Sequence, residues 1–177
     1  MKFSVISAVD KNFGIGKGGK LPWNLKGDMA HFKEVTTRGV VPGKQNVVIM
    51  GRTTWESLPE RYRPLPGRLN VVLSRQSNVS LPTGVMQFGK LEEAIATLTS
   101  MGVGEIFVIG GGQVYAQAVA NKNCQTIYLT EIDAVFDCDA YFPKLPTSFR
   151  ETANSNWIED SGIKYKFVIY KRDGQTG

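Results

Sequence analysis

Runs of apolar, β-branched residues alternate along this chain with stretches of helical periodicity, and the alternation predicts its elements. Phe3 to Val9, Asn46 to Met50, Leu69 to Leu73, Glu105 to Ile109 and Thr126 to Ile132 read as buried strands. Ile163 to Lys171 reads as a final strand, with Phe149 to Ile158 as the place for one more. Leu25, Met29, Phe32 and Val35 recur at helical spacing, as do Leu91, Ala94, Ile95 and Leu98 within a helix from Leu91 to Met101. Shorter helices open after Gly51 and after Gly110-Gly111-Gly112, the second reaching Ala120. Strand–helix alternation ending in β-rich sequence predicts an α/β fold with a mostly parallel central sheet flanked by helices. The 177 residues hold no linker, internal repeat or low-complexity tract, so a single domain spanning 1–177 is expected. Residues 172–177 are expected to fray.

The stretch from Leu21 to Val35 carries the first candidate chemistry. Pro22 and Asn24 set a helix start, and the apolar stripe follows. Asp28 lies three residues after Leu25 and four before Phe32, so it projects from the apolar face. A carboxylate there is costly unless partnered or protonated, and burial should raise its pKa above the usual value of about 3.9. That makes it a candidate proton donor. The same residue also reads as a first-turn acid serving the helix N-terminus, and this stretch alone leaves both readings open. Upstream, Asp10 to Lys20 carries Gly14, Gly16, Gly18 and Gly19. Taken alone this is a glycine-rich surface loop, but its place between the first strand and the Asp28 helix also suits a lid.

Three polar clusters follow the carboxyl ends of strands, where open α/β sheets bind ligands. Gly51-Arg52-Thr53-Thr54-Trp55 opens a helix with free N–H groups and a guanidinium, an anion-site arrangement that Thr capping would equally explain. Ser74-Arg75 repeats a hydroxyl and a guanidinium. Gly110-Gly111-Gly112-Gln113-Val114-Tyr115 is a strand–glycine–helix phosphate turn, or simply a tight turn, with Tyr115 where a dinucleotide fingerprint has its last glycine. A net charge of +5 without a dense basic run suits small phosphate-bearing ligands and argues against a nucleic-acid surface. No apolar run reaches the roughly 18 residues of a membrane span, and the N-terminus lacks signal-peptide anatomy. Cys124 and Cys138 read as reduced thiols of a cytoplasmic protein. They and the lone His31 make no metal set.

Several of these motifs occur together and in order. They are Gly14-Ile15-Gly16, Leu21-Pro22-Trp23-Asn24-Leu25, Asp28, Phe32 and Met50-Gly51-Arg52 with Thr54-Trp55. Arg63-Pro64-Leu65-Pro66-Gly67-Arg68, Leu73-Ser74-Arg75, Ile109-Gly110-Gly111-Gly112 with Val114-Tyr115, and Leu129-Thr130 complete the set. From Phe3 to Tyr170 the chain closely resembles dihydrofolate reductase. The resemblance implies that family's sheet with an antiparallel last strand, and a monomer. It also implies reduction of 7,8-dihydrofolate to 5,6,7,8-tetrahydrofolate by NADPH, through hydride transfer to C6 and protonation of N5, with antifolate inhibitors as further ligands.

Carried over by residue, the resemblance implies that Asp28 grips the pterin's N3 and 2-amino edge, Thr130 hydrogen-bonds that carboxylate, and Trp23 holds a water. The carbonyls of Ile6 and Ile109 would accept from the pterin edge of inhibitors, and Met29, Phe32, Leu58 and Leu65 would wall the rings. Arg68 would pair with the α-carboxylate of the glutamate tail. Ala8, Ile15 and Tyr115 would line the nicotinamide. Gly111, Gly112, Arg52, Thr53 and Thr54 would hold the pyrophosphate, and Gly51, Gln113 and Val114 complete the cofactor set. Ser74 and Arg75, with Arg52, would hold the 2′-phosphate, and Asp139 would hydrogen-bond the closing lid. Gln113 stands where some members carry a basic residue. Two other readings compete: a reductase of the same fold acting on a pyrimidine precursor of riboflavin, and a non-catalytic nucleotide-binding module. Arg68 argues against the first, since a folate tail is what needs it, and Asp28 on an apolar face is unexplained by the second.

Overall fold

The computed structural model describes residues 1–174. In chain order it runs β1 (Phe3–Val9), β2 (Gly14–Gly16), α1 (Lys26–Thr37), β3 (Val47–Gly51), α2 (Arg52–Ser57), a 3₁₀ turn (Glu60–Tyr62), β4 (Leu69–Leu73) and β5 (Met86–Phe88). Then come α3 (Leu91–Met101), β6 (Ile106–Val108), α4 (Gly112–Ala120), β7 (Cys124–Ile132), β8 (Ala140–Tyr141), β9 (Phe149–Asn154), β10 (Ile158–Asp160) and β11 (Ile163–Arg172). The main sheet has the order β10-β11-β7-β1-β6-β3-β4-β5, with β9 also paired to β11. From β5 through β7 every neighbouring pair is parallel, and β11 runs antiparallel to β7. Parallel strands are covered on both faces, which is why their sequences are continuous apolar runs. Val47, Val48, Ile49 and Met50 accordingly have no exposed surface.

The elements that carry no apolar run of their own are the ones the pattern misses. β2 lies inside the glycine-rich loop and pairs with β8, which follows Asp133, Asp137 and Asp139, so the loop is zipped down rather than free. β5 is a three-residue strand flanked by polar sequence. Helix α1 starts at Lys26, with Leu25 as its N-cap, and Leu25 is buried with Trp23, Ile132 and Tyr165 instead of extending the helical stripe. Met29 also leaves the stripe at 57% exposed, because one residue beyond Asp28 turns the side chain about 100° off the sheet-facing side. Arg172 does not fray. Its guanidinium donates to the carbonyls of Cys124, Val119 and Asn121 and to Ser148 Oγ, while 175–177 lie outside the described residues.

Tertiary contacts fix where α1 sits. No side chain of its own caps its start, and Asp160 Oδ2 accepts from Lys26 N at 3.1 Å from the far end of the chain. Asn46 donates to the carbonyls of Thr36 and Arg38 at 3.2 and 2.9 Å, and accepts from Glu105 N at 2.9 Å. Near the start, Gly27 lies against Tyr165, and a Cβ there would collide with the tyrosine hydroxyl. Gly27→Ala is therefore expected to destabilise the protein by about 1–3 kcal/mol in urea unfolding, against the propensity gain of about 1 kcal/mol. Adding Tyr165→Phe should restore much of the loss, since the next ring atom would be at 3.4 Å, an ordinary contact.

Candidate active site

Asp28 comes to rest where α1 crosses β1 and β7. Ala8 is in register with Thr130 across those strands, and Thr130 Oγ1 donates to Asp28 Oδ1 at 2.6 Å. Burial raises the Asp28 pKa above its usual value, and the hydroxyl bond opposes part of that rise. Asp28 is the acid of the first turn of α1 and at the same time a half-buried group fixed to the sheet. Nearby, Tyr115 is buried and donates from its hydroxyl to Ile6 O at 2.8 Å. Burial lifts its phenol well above the ordinary range. A carbonyl has two lone pairs, so Ile6 O keeps one for a further donor. Trp23 is 6% exposed, packs against Phe136, and has a buried Nε1 without a protein partner.

The wall residues gather from four elements. Ile6, Phe32 and Ile109 share one cluster with Val35, Phe107 and Tyr128. Leu58 and Leu65 pack with Ile109 in the adjoining one. Arg68 lies at the far end of α1. It is 6% exposed, donates from Nη1 to Thr36 Oγ1 at 2.9 Å and from Nε to Pro66 O at 3.0 Å, and stands over the Phe32 ring. Among the described residues no carboxylate lies within ion-pair distance of it. Burial lowers its pKa, and a guanidinium stays charged even so.

On the other side of the sheet's carboxyl edge, the two glycine turns meet. Gly51 N donates to Gly110 O at 2.8 Å, and Thr54 Oγ1 lies beside Gly110 and Gly111. Gly110 has φ +133°, outside the range of L side chains. Gly111 brings no side chain to cap α4, so its first-turn N–H groups stay available to an anion. A cleft of about 570 Å³ continues from here, lined by Ser74, Arg75, Gln113 and Val114 among others. Lys90 also lines it, a residue the sequence reading missed. Lys90 immediately precedes α3, the same strand-to-helix position that singled out Arg52, but the strand before it gave no signal. Arg52 and Arg75 do not share one pocket. Arg52 donates to Gln76 Oε1 at 3.0 Å, lies 3.7 Å from Glu56 and lines a separate recess of about 270 Å³, because its own helix and the loop after Arg75 offer it nearer partners. Thr53 is exposed at the helix start.

The glycine-rich loop is docked along the segment after β7. Asp139 Oδ2 accepts from Gly18 N at 3.0 Å, and Asp139 N donates to Gly16 O at 2.9 Å. Ile15 reaches the α4 start, with its Cδ1 at 4.0 Å from where a Cβ on Gly112 would stand.

The fold and the cleft together define a class: an α/β protein with glycine turns and a half-buried acid along the carboxyl edge of a mostly parallel sheet, the edge at which such sheets bind ligands. The dihydrofolate reductase family profile matches residues 2–172. Dihydrofolate reductase of Drosophila melanogaster is 42% identical, over 97% of this chain and 98% of its own length. That of Heliothis virescens is 39% identical, over 97% of this chain and 98% of its own length. The bifunctional dihydrofolate reductase-thymidylate synthase of Glycine max is 41% identical over 96% of this chain, which spans 33% of that relative. The chain belongs to the dihydrofolate reductase family.

Proposed function

We propose that this cleft binds 7,8-dihydrofolate beside NADPH and reduces it to 5,6,7,8-tetrahydrofolate. The observation that carries the reading is the Asp28–Thr130 pair, an acid half-buried in an apolar wall and oriented by a hydroxyl from the distant strand β7. Asp28 grips the pterin's N3 and 2-amino edge, and its raised pKa favours a proton in the site. Ile6 and Ile109 present backbone acceptors, Phe32, Leu58 and Leu65 wall the rings, and Met29 covers them from the open side. Arg68 pairs with the tail carboxylate. The buried Trp23 Nε1 supplies a donor for a water beside the acid. Ala8, Ile15 and Tyr115 form the nicotinamide end.

The residues present fit the cofactor. A Cβ at Gly51 would meet Val114 at 3.2 Å and one at Gly112 would meet the Tyr141 carbonyl at 3.0 Å, so glycine lets both turns pack this closely, and the start of α4 has no side-chain cap to compete with a phosphate for its N–H groups. Gly111, Gly112, Thr53 and Thr54 would hold the pyrophosphate, with Ser74, Arg75 and Lys90 at the 2′-phosphate and Arg52 at its edge. NADPH, when bound, supplies the hydride. No helix of the described residues is long and apolar enough to cross a membrane, and the ligands are small molecules.

Loss of NADPH absorbance on adding dihydrofolate tests the reading; turnover with a pyrimidine precursor of riboflavin instead would refute it. A preference for NADPH over NADH is expected. Arg75→Ala should cut it about tenfold, and more than Arg52→Ala, since Arg52 must first leave Gln76 and Glu56. Arg75 is exposed, so the preference should shrink at high salt. Competition between the two cofactors at low and high salt measures both effects, and an unchanged preference in Arg75→Ala would place the phosphate elsewhere.

A further inference from the structure

Asp10 directly follows β1 and is 3% exposed, yet among the described residues no cation lies within ion-pair distance of it. Its carboxylate is held by backbone N–H groups from two separate segments. Oδ1 accepts from Asn12 N and Gly14 N, each at 2.8 Å, inside the glycine-rich loop. Oδ2 accepts from Phe136 N at 2.9 Å, with Cys138 Sγ at 3.9 Å, in the segment that receives the loop. A buried carboxylate is tolerated only while its donors stay in place. Parting the two segments would strip Oδ2 of its donor inside a dry site. Of the other side-chain bonds across this seam, Gly18 N to Asp139, Lys17 to Asp137 and Lys11 to Asp133 are exposed and break at little cost. The backbone bonds Lys11 N to Ala134 O, Asp139 N to Gly16 O and Phe142 N to Phe13 O join the same two segments but leave no charge stranded when they part.

We infer that Asp10 is a positioning residue that locks the base of the glycine-rich lid to the segment after β7, and so sets Ile15 against the nicotinamide end of the cleft. This rests on the cofactor reading above. The role is local: the lid reaches Gly112, whereas Ser74, Arg75 and Lys90 line the cleft that continues beyond it. Asp10→Asn separates the two functions of the carboxylate. Its remaining oxygen still serves Asn12 and Gly14, but its amide nitrogen faces the Phe136 N–H. Asp10→Ser keeps a turn acceptor and cannot span to Phe136.

Binding of NADPH and of adenosine 2′,5′-bisphosphate, which lacks the nicotinamide, should be titrated on the full chain for wild type and both variants. Folded variants are expected to bind NADPH about tenfold more weakly and adenosine 2′,5′-bisphosphate within about twofold of wild type. Equal losses for the two ligands, unchanged NADPH binding, or failure of both variants to fold would overturn the inference and leave Asp10 a structural residue. Wild type that binds neither ligand would instead refute the cofactor reading on which the inference rests.

Discussion

Asp28→Asn is expected to lose about 10²–10⁴-fold in kcat/KM at neutral pH while melting at a higher temperature than wild type. The two effects have one cause. The amide keeps the shape of the acid and still accepts from Thr130, but it has no proton to give and no charge to bury. Because burial raises the Asp28 pKa, its charged form is better solvated in the unfolded chain. The stability of wild type is then complete below the unfolded pKa of about 3.9 and is eroded as pH rises through the higher folded value. The melting difference between variant and wild type should vanish below about pH 3.9 and level off above the folded pKa. Activity should move the opposite way. The variant recovers as pH falls, when solvent protonates the substrate. Thermal melts and pH–rate profiles check both halves, and a variant with wild-type turnover at neutral pH would end the assignment.

Arg68→Leu should raise the KM for dihydrofolate by about 10- to 100-fold, the equivalent of one charge-assisted hydrogen bond. Dihydropteroate, which lacks the glutamate, should show little change. The comparison is needed because Arg68 also has structural bonds to Thr36 Oγ1 and Pro66 O. Losing those lowers stability by about 1–2 kcal/mol, which would affect both substrates alike. Arg68→Lys keeps the charge without the planar fork and should fall between wild type and leucine. Equal KM changes for the two substrates would make Arg68 a structural residue.

The long strands and α3 were legible because each buries a face that its own residues must supply. Leu69–Leu73 and Leu91–Met101 have the boundaries their apolar pattern indicates. β2 and β8 were not legible. Gly14–Gly16 has no side chain to bury beyond Ile15, and it becomes a strand only because Tyr141 and Ala140 come alongside. Lys90 was missed for a related reason, since the strand before it forms only against β4. The Asp28 stripe was read correctly in outline and wrongly in detail. Leu25 packs sideways with Trp23, and Met29 is exposed.

What the sequence determined by itself was chemistry and period: which residues could be acids, anchors and phosphate turns, and which runs had to be buried. Asp28 on an apolar face was visible as an unsolved electrostatic problem, and its position four residues before Phe32 is a property of the helix alone. Residue pattern could not supply the solution that the family resemblance implied, because Thr130 is remote in sequence and reaches Asp28 only through the register of β7 on β1. The same holds for Arg68, whose lack of an acidic partner among the described residues is a statement about every neighbour at once. It holds too for Arg52 and Arg75, which the motifs made equivalent and the fold sent to different recesses. Period follows from bonds between near neighbours in the chain, whereas the partner of a buried charge depends on which distant segments the sheet brings together.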